Sequence, residues 1–275
     1  MLDVVIPVAL TIAGSDPSGG AGIQADLKTF HQFDVYGEAV ITLITVQNSQ
    51  SVRRVEWLAP DLVAEQIRAV VEDIPPAAAK TGALGSPEIV SAVAAEAASF
   101  GFPLVVDPVM ISKHGAPLMS AEARDQLVGD LLPRAFLVTP NLPEASALAE
   151  YPIATLDDAR EAARRIRGLG PRAVLVKGGH FENTATDLLL DASGSWHEFP
   201  SARIDSPHTH GTGCTYSAAI TALLAQGLDL VEAVGIAKGY ITRAIATSPG
   251  LGRGQGPVNH HALAGRGHRR AAKNS

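Results

Sequence analysis

The sequence predicts an α/β fold, a three-layer α/β/α sandwich whose central sheet is mostly parallel. Short apolar runs alternate along the chain with longer segments of helical periodicity, which is typical of successive βαβ units. The short runs are also apolar on both faces, as expected for parallel strands that helices cover on each side. These two observations together favour a sheet buried between two helical layers.

Five runs are predicted to be strands and seven segments to be helices. The strand-like runs are residues 8–13, 39–46, 104–109, 136–139 and 173–177. The helical segments are residues 22–33, 60–71, 87–100, 121–132, 156–167, 215–225 and 230–247. Between Thr186 and Ile204 the pattern changes to two short alternating segments around Ser193 and Gly194, which predicts a small antiparallel hairpin at one edge of the sheet.

No change in composition marks a linker, so residues 1–262 are predicted to form one domain. With 275 residues, 46% apolar content and 26 glycines, the chain can bury a large core and make many tight turns. Residues 263–275 carry four basic side chains and are predicted to be a disordered, solvated tail. A weak contact of this tail with a polyanion is the less favoured alternative.

Charge and hydropathy favour small-molecule chemistry. The formal net charge of −6 is spread along the chain and gives no basic face for nucleic acid. No apolar run approaches the roughly 20 residues that cross a bilayer, and residues 4–13 lack the basic start of a signal peptide, so they are interpreted as the first strand. The one cysteine excludes an intramolecular disulfide and favours the reducing cytoplasm.

Polar residues follow most of the predicted strands, at the sheet edge where α/β proteins bind ligands. The first strand runs into a glycine loop, residues 14–22, whose glycines allow a ligand close to the backbone. Later strands end at Gln47, Asp107, Asn141 and Lys177. Each also has an ordinary interpretation as a turn former, a solvated helix face or a lysine at a strand end.

A second glycine turn, here called the anion turn, comprises residues 211–214 and precedes a helix. Backbone N–H groups at a helix start carry partial positive charge, and Gly211 and Gly213 leave room for a phosphate beside them. The same field favours a thiolate at Cys214. A tight connection and a small buried thiol are the competing interpretations.

Phosphoryl transfer from a magnesium nucleotide requires acidic residues, a cation and a turn that binds anions. The sequence offers these in Asp107 and Glu144, in Lys177 and in the anion turn. The pattern G-x-x-x-x-G-K-[ST] is absent, so a P-loop kinase is excluded. The glycines at 250, 252, 254 and 256 follow a helix and therefore do not form a dinucleotide fingerprint.

Six ordered motifs resemble one known family. They are ALTIAGSDPSGGAGIQADLKTF at 9–30, DPVM at 107–110, TPNLPEA at 139–145, VKGGH at 176–180, HGTGCT at 210–215 and GPVNH at 256–260, in which the fourth position is not part of the match. This set is similar to the bacterial hydroxymethylpyrimidine/phosphomethylpyrimidine kinases of thiamine synthesis, which have a ribokinase-like fold. The resemblance covers residues 5–260.

The resemblance implies an activity and a set of site residues. Such enzymes use ATP and Mg²⁺ to phosphorylate 4-amino-5-hydroxymethyl-2-methylpyrimidine and then its monophosphate, and they are homodimers. The substrate would be bound by Gly14, Ala21, Gly22, Asp26, Gln47, Ala83 and Val109. The nucleotide would be bound by Asn141, Lys177, Gly211 and Thr212, and Mg²⁺ by Asp107 and Glu144 through water. Catalysis would fall to Lys177, Gly211, Gly213 and Cys214, with Cys214 as the base.

Three departures from the family pattern leave alternatives open. Residues 80–83 read KTGA where many members have KIGM, so a methionine is missing from the pocket wall and Lys80 has no assigned role. His208 replaces a common asparagine, and residues 112–116 also differ. A vitamin B6 kinase therefore remains the nearest rival. A thiol hydrolase and a non-catalytic nucleotide-binding regulator are less favoured, because no separate base is evident and the kinase residues are retained.

Overall fold

The computed structural model describes residues 6–111, 115, 118–179 and 185–263. These residues form one nine-stranded sheet with the order β3-β2-β1-β4-β5-β6-β7-β8-β9. The strands are β1 Val8–Ser15, β2 Tyr36–Gln47, β3 Val52–Trp57, β4 Ala78–Thr81, β5 Leu104–Val106, β6 Leu137–Val138, β7 Ala173–Val176, β8 Asp187–Leu190 and β9 Trp196–Phe199. The helices are α1 Gly22–Gln32, α2 Pro60–Asp73, α3 Pro87–Ala97, α4 Ala121–Gln126, α5 Leu142–Ala149, α6 Leu156–Gly168, α7 Thr212–Ala225 and α8 Leu230–Ala246.

The central strands β2, β1, β4, β5, β6 and β7 pair in parallel. Antiparallel strands flank them: β3 pairs with β2 at one edge, and β8 and β9 continue the sheet beyond β7 at the other. The predicted mostly parallel sheet and its antiparallel hairpin are therefore confirmed. This arrangement brings the carboxyl ends of six parallel strands to one edge of the sheet.

Two apolar cores confirm the three layers. Side chains of α2, α3 and α6 pack against one face of the sheet, and side chains of α1, α7 and α8 pack against the other. Helix α7 is buried along residues 215–225, so protein surrounds it on all sides. Its N-terminus at Thr212 emerges at the carboxyl edge of the sheet.

Three elements lie outside the segments that the sequence pattern identifies. Strand β3 has exposed charged residues instead of an apolar run, and β4 is only four residues long with a lysine in its centre. Helix α5 is eight residues long and begins with a capping box, in which Asn141 and Glu144 exchange side-chain to backbone hydrogen bonds. All three give too little hydrophobic periodicity to detect.

At two of the predicted boundaries that differ, a proline explains the difference. The helix predicted at residues 121–132 is regular only to Gln126; it continues as a π-helical turn and a 3-10 turn that contains Pro133. The strand predicted at residues 104–109 ends at Val106, two residues before Pro108. A proline lacks the backbone N–H group that a helix or a strand needs for its next hydrogen bond.

The predicted tail lies outside the described residues except for Leu263, as does most of the departure at 112–116. The one-domain prediction for residues 1–262 stays a prediction. Among the described residues, no helix combines the length and apolar character that a membrane crossing needs.

Candidate active site

A cleft of about 770 Å³ opens at the carboxyl edge of the sheet. All but one of the site residues expected from the sequence line it: Gly14, Ala21, Gly22, Gln47, Ala83, Asp107, Val109, Asn141, Glu144, Lys177, Gly211, Thr212, Gly213 and Cys214. The order of the strands explains the convergence, because parallel neighbours end side by side. The glycine loop and the anion turn meet in this cleft.

Asp26 is the exception. It lies on α1 with no exposed surface, and its carboxylate oxygens are 2.8 and 2.9 Å from Nζ of Lys80. The hydroxyl of Thr11 donates a third hydrogen bond, of 2.7 Å, to the same carboxylate. Asp26 therefore does not line the cleft, because its oxygens are engaged inside the protein. Its role in binding the substrate, which the resemblance implies, stays a prediction.

Lys80 is equally buried, and this pair gives it a structural role. Burial lowers the pKa of Lys80, but the charge of Asp26, its hydrogen bond and the other nearby acidic groups together outweigh burial and raise the pKa above its usual value. The charges of Asp107 and Cys214 act on Lys80 in the same direction. A cation that the sequence analysis left unassigned thus lies beneath the floor of the cleft.

The anion turn begins α7 three residues earlier than the sequence pattern indicates. Gly211 is the N-cap with φ of 79°, and a Cβ there would lie 1.7 Å from the carbonyl oxygen of Gly20. Thr212 directs its hydroxyl to the carbonyl of Thr209 at 2.8 Å. The residues after Gly211 form the first helical turn, whose N–H groups have no acceptor within the helix. They give the cleft an electropositive end.

Lys177 and Asp107 form an ion pair beside this turn. Nζ of Lys177 is 3.0 Å from Oδ1 of Asp107, and a Cβ on Gly213 would lie 3.3 Å from the same Nζ. Thr139 and Ser217 donate further hydrogen bonds of 3.3 and 3.1 Å to the Asp107 carboxylate. Burial raises the pKa of Asp107, but the neighbouring lysines lower it overall, so Asp107 is a carboxylate.

Glu144 occupies the adjoining wall, held by the capping box of α5. Its Oε2 accepts a hydrogen bond of 2.8 Å from the backbone N–H of Asn141. Burial raises the pKa of Glu144 to about 7, and Lys177 opposes this rise. A cation in the cleft would therefore favour the charged form of Glu144 and lower its pKa.

Cys214, the last residue of the anion turn, lines the cleft next to Gly22 of the glycine loop. Burial raises the pKa of its thiol to about 11, although the Lys80 ammonium lowers it in part. The thiolate expected from the helix terminus is therefore not the resting state near neutral pH. Loss of hydration outweighs the favourable field, although Cys214 is only partly buried and lines the cleft.

Two further residue pairs were not identified as functional from the sequence. Asp16, a residue of the glycine loop to which the sequence assigned no role, lies with its Oδ2 2.8 Å from Nε2 of His210 within the cleft. At the far end, Nζ of Lys238 lies 2.8 Å from Oδ2 of Asp187, whose Oδ1 accepts a hydrogen bond from Gly178. Both pairs join residues that are far apart in sequence, so local motifs could not reveal them.

The fold and the cleft together define a phosphotransferase, a kinase built on an α/β/α sandwich. The sequence profile described as phosphomethylpyrimidine kinase matches residues 16–259, and the chain belongs to that family. The family resemblance and the kinase prediction are thereby confirmed.

Similar proteins support the assignment. The chain is 47% identical to a hydroxymethylpyrimidine/phosphomethylpyrimidine kinase of Synechococcus elongatus, over 94% of this chain and 98% of that one. It is 49% identical to a thiamine biosynthesis bifunctional protein of Geobacter sulfurreducens, over 91% of this chain. It spans only 51% of that longer relative.

Solved structures show the same fold. A phosphomethylpyrimidine kinase from Clostridium difficile superposes with a TM-score of 0.77 and 45% identity, covering 87% of this chain and 99% of that one. A pyridoxal kinase from Bacillus subtilis, solved with ADP, gives a TM-score of 0.86 and 40% identity, covering 94% of this chain and 99% of the other. The sandwich is thus common to kinases named for two different substrates.

Proposed function

We propose that the protein transfers a phosphoryl group from ATP to the hydroxymethyl group of 4-amino-5-hydroxymethyl-2-methylpyrimidine, and then a second one to the monophosphate. One observation carries this proposal. The anion turn, the Lys177–Asp107 pair and the glycine loop line one cleft, so a phosphate and an acceptor can be held side by side. Products formed from this pyrimidine and Mg-ATP, identified by mass spectrometry, test it.

The pyrimidine site would lie beneath the glycine loop and the end of β2. The hydroxyl of Thr45 donates a 2.9 Å hydrogen bond to the carbonyl of Ser15, which fixes the end of β2 against that of β1. Gln47 follows two residues later on the same side of the strand and lines the cleft. Its amide can pair with both a donor and an acceptor on a ring edge. The pocket would be completed by Gly14, Ala21, Gly22, Ala83 and Val109.

The nucleotide would extend from the anion turn towards Asn141 and Thr212, with its transferred phosphate against Lys177. The ammonium of Lys177 lies within reach of the first turn of α7, as its distance to a Cβ on Gly213 shows. A lysine cation and helix N–H groups stabilise the charge on a phosphoryl group in flight without chemistry of their own.

The residues present also fit a magnesium ion. Asp107 and Glu144 line the same cleft, and burial has raised the pKa of Glu144 to about 7, a rise that a divalent cation would reverse. The described residues contain no cluster of three or more metal-binding side chains. Two carboxylates suit Mg²⁺, which keeps waters and phosphate oxygens as its other ligands and would neutralise phosphate charge here.

Cys214 would assist only the first transfer. Its thiol has a pKa of about 11 and is protonated near neutral pH, so it must first give its proton to solvent, and only the resulting thiolate can accept the proton of the alcohol. In a loose transition state the alcohol loses its proton late, so a modest base in line with the hydroxyl suffices. The second acceptor is a phosphate oxygen that is already anionic, and it needs no base.

Pyridoxal is the second candidate acceptor. Pyridoxal kinases superpose well on this chain, with a TM-score of 0.86, and Ala83 leaves a roomier wall than a methionine would. Values of kcat/KM for the pyrimidine and for pyridoxal, measured side by side, decide between the two acceptors.

We also propose that the protein is a cytoplasmic homodimer. The lone thiol suits a reducing compartment. Ile44 and Val46 lie on one face of β2 and expose 46% and 50% of their surface, which suits burial against a second copy. Light scattering on the wild type and on Val46→Glu tests the dimer, since a buried carboxylate would dissociate it.

A further inference from the structure

The carboxylate of Asp16 organises the glycine loop from within. Its Oδ1 accepts a 2.8 Å hydrogen bond from the N–H of Ser18. Its Oδ2 accepts hydrogen bonds of 3.2 and 2.9 Å from the N–H groups of Gly20 and Ala21. Only 2% of Asp16 is exposed, so these bonds are protected from water. One side chain therefore sets the shape of the loop that would hold the acceptor.

A fourth partner of this carboxylate comes from the other side of the cleft. Nε2 of His210 lies 2.8 Å from Oδ2 of Asp16, although the two residues are 194 positions apart in the sequence. His210 is itself 95% buried, being only 5% exposed. It directly precedes Gly211, the N-cap of α7. The bond thus joins the glycine loop to the anion turn.

The backbone of His210 is held independently of Asp16. Its N–H donates to the carbonyl of Gly256 at 3.1 Å, and its carbonyl accepts from the N–H of Val258 at 3.2 Å. These two bonds form a short parallel bridge to the glycine-rich segment that follows α8. The imidazole is therefore presented to Asp16 from a fixed support.

The glycine loop and the anion turn also pack closely against each other. A Cβ on Gly20 would lie 2.5 Å from Cδ2 of His210, and a Cβ on Gly211 would lie 1.7 Å from the carbonyl oxygen of Gly20. Such distances leave no space for a side chain between them. The contact explains why both positions are glycine, and it fixes the separation of the loop and the turn.

We propose that Asp16 and His210 are positioning residues, which lock the glycine loop to the anion turn and thereby set the distance between acceptor and phosphoryl group. The proposal rests on the proposed kinase function, because that function places the acceptor on one side of this bond and the phosphate on the other. Neither residue acts on the reacting atoms, since the Asp16 oxygens bind His210 and backbone N–H groups. Misplacement of about 1 Å can cost roughly 100-fold in rate.

The first test compares His210→Phe with His210→Gln. Phenylalanine removes the bond to Asp16, whereas the glutamine amide N–H can reach the position of Nε2. We expect His210→Phe to lower kcat of transfer about 100-fold with little change in KM for ATP, and His210→Gln to recover most of the rate. We also expect His210→Phe to raise the ratio of ATP hydrolysed to pyrimidine phosphorylated, because water can replace a displaced hydroxyl.

The chain offers a matched control in a second histidine–aspartate pair. Nε2 of His197 lies 2.7 Å from Oδ2 of Asp191 in the β8–β9 hairpin, and neither residue lines the cleft. His197→Phe should leave kcat and the ratio of hydrolysis to transfer unchanged. If His210→Phe does the same and only lowers Tm, or if transfer and hydrolysis fall by one factor, the positioning role is overturned.

If His210→Phe does not fold, His210→Gln is compared with His210→Asn, because the shorter asparagine cannot reach Asp16. Equal kcat and equal ratios of hydrolysis to transfer in these two variants overturn the proposal. If the wild type phosphorylates pyridoxal and not the pyrimidine, the proposed function fails. The same ratios measured with pyridoxal then still test the Asp16–His210 bond.

Discussion

Lys80 and Asp26 form an ion pair with no exposed surface beneath the active-site cleft, with Nζ 2.8 Å from Oδ1. Lys80 comes from β4 and Asp26 from α1, so the pair joins the sheet to a helix of the adjoining layer. Its charges act on Cys214 and Asp107 above it. The pair is therefore both part of the core and a source of the electrostatic field in the cleft.

Removing one partner of this pair should lower the free energy of unfolding more than removing both partners. Lys80→Met leaves the Asp26 carboxylate buried without its counter-charge, and we expect a loss of about 3–5 kcal/mol in the free energy of unfolding. The double variant Lys80→Met with Asp26→Asn should recover much of that loss. Urea denaturation measures both, and a double variant no more stable than the single one would contradict the argument.

Replacing Gln47 with Ala should weaken binding of the pyrimidine selectively. Polar atoms on the ring would be buried without partners, which raises KM by an amount equivalent to about 1–3 kcal/mol. Nucleotide binding should hardly change, because Gln47 lies at the end of β2, on the glycine-loop side of the cleft. Steady-state kinetics with each substrate varied in turn measure this; equal losses for both would indicate a structural role.

Cys214→Ala should separate the two phosphorylations. General-base assistance is worth about 100 to 10,000-fold in rate, so the first transfer should slow by a factor in that range. The monophosphate, supplied directly, should be converted with a far smaller loss, since its oxygen carries no proton that must leave. Quenched-flow product analysis measures both steps, and one common factor would rule out the base assignment.

Gly211→Ala should disrupt the site far more than an equivalent change elsewhere. Gly211 and Gly227 both have positive φ, 79° and 85°, but only a Cβ at Gly211 meets other atoms. Gly227→Ala should cost about 1–2 kcal/mol from backbone strain alone and keep full activity. Gly211→Ala must displace Gly20 and should lose phosphoryl transfer. Circular dichroism and turnover measure the pair, and equal effects would contradict the close contact.

Acid should remove a stabilising contribution from Asp16. Burial raises the pKa of this carboxyl, but hydrogen bonds from His210 and Ser18 outweigh burial and lower it below its usual value. The folded state thus favours the carboxylate, and its contribution is complete above the unfolded pKa of about 4 and declines as pH falls towards the folded pKa. Between pH of about 4 and 2 the wild type should lose up to about 1.4 kcal/mol per pH unit relative to Asp16→Asn.

Chemical denaturation of both proteins across this pH range gives the difference. Asp16→Asn is the control for all other titrating groups, since these are common to the two chains. A difference in unfolding free energy that does not vary with pH would show that Asp16 has an ordinary pKa in the folded protein.

The sequence pattern was sufficient for the layers and for the edge at which the cleft forms. Apolar runs such as residues 173–177 are long and uniform, and the polar residues after them fall at strand ends in any parallel sheet. The same pattern locates Lys177, Gln47 and Asp107 from the sequence alone. What they share is a position that depends only on the strand that precedes them.

The residues that were missed or displaced depend on contacts between distant segments. Asp26 occurs in the middle of a family motif, yet whether it faces the substrate or the core is decided by Lys80, 54 residues away. Lys80 in turn sits in a strand of four residues, too short to produce a periodic signal. The Asp16–His210 bond closes only when β1 and α7 are both in place. Local patterns carry no information on such pairings.

The burial of α7 along residues 215–225 affects where the acceptor must lie in each step of a two-step reaction. A helix enclosed on every side cannot slide by the length of a phosphate, so its first turn is a stationary reference point for both transfers. Once the hydroxyl has become a phosphate ester, the new acceptor oxygen must occupy the place the hydroxyl held. The ring must then withdraw deeper into its pocket or leave and rebind in a different pose. The space on the Ala83 side of the cleft, and not a movement of α7, would then determine the rate of the second step relative to the first.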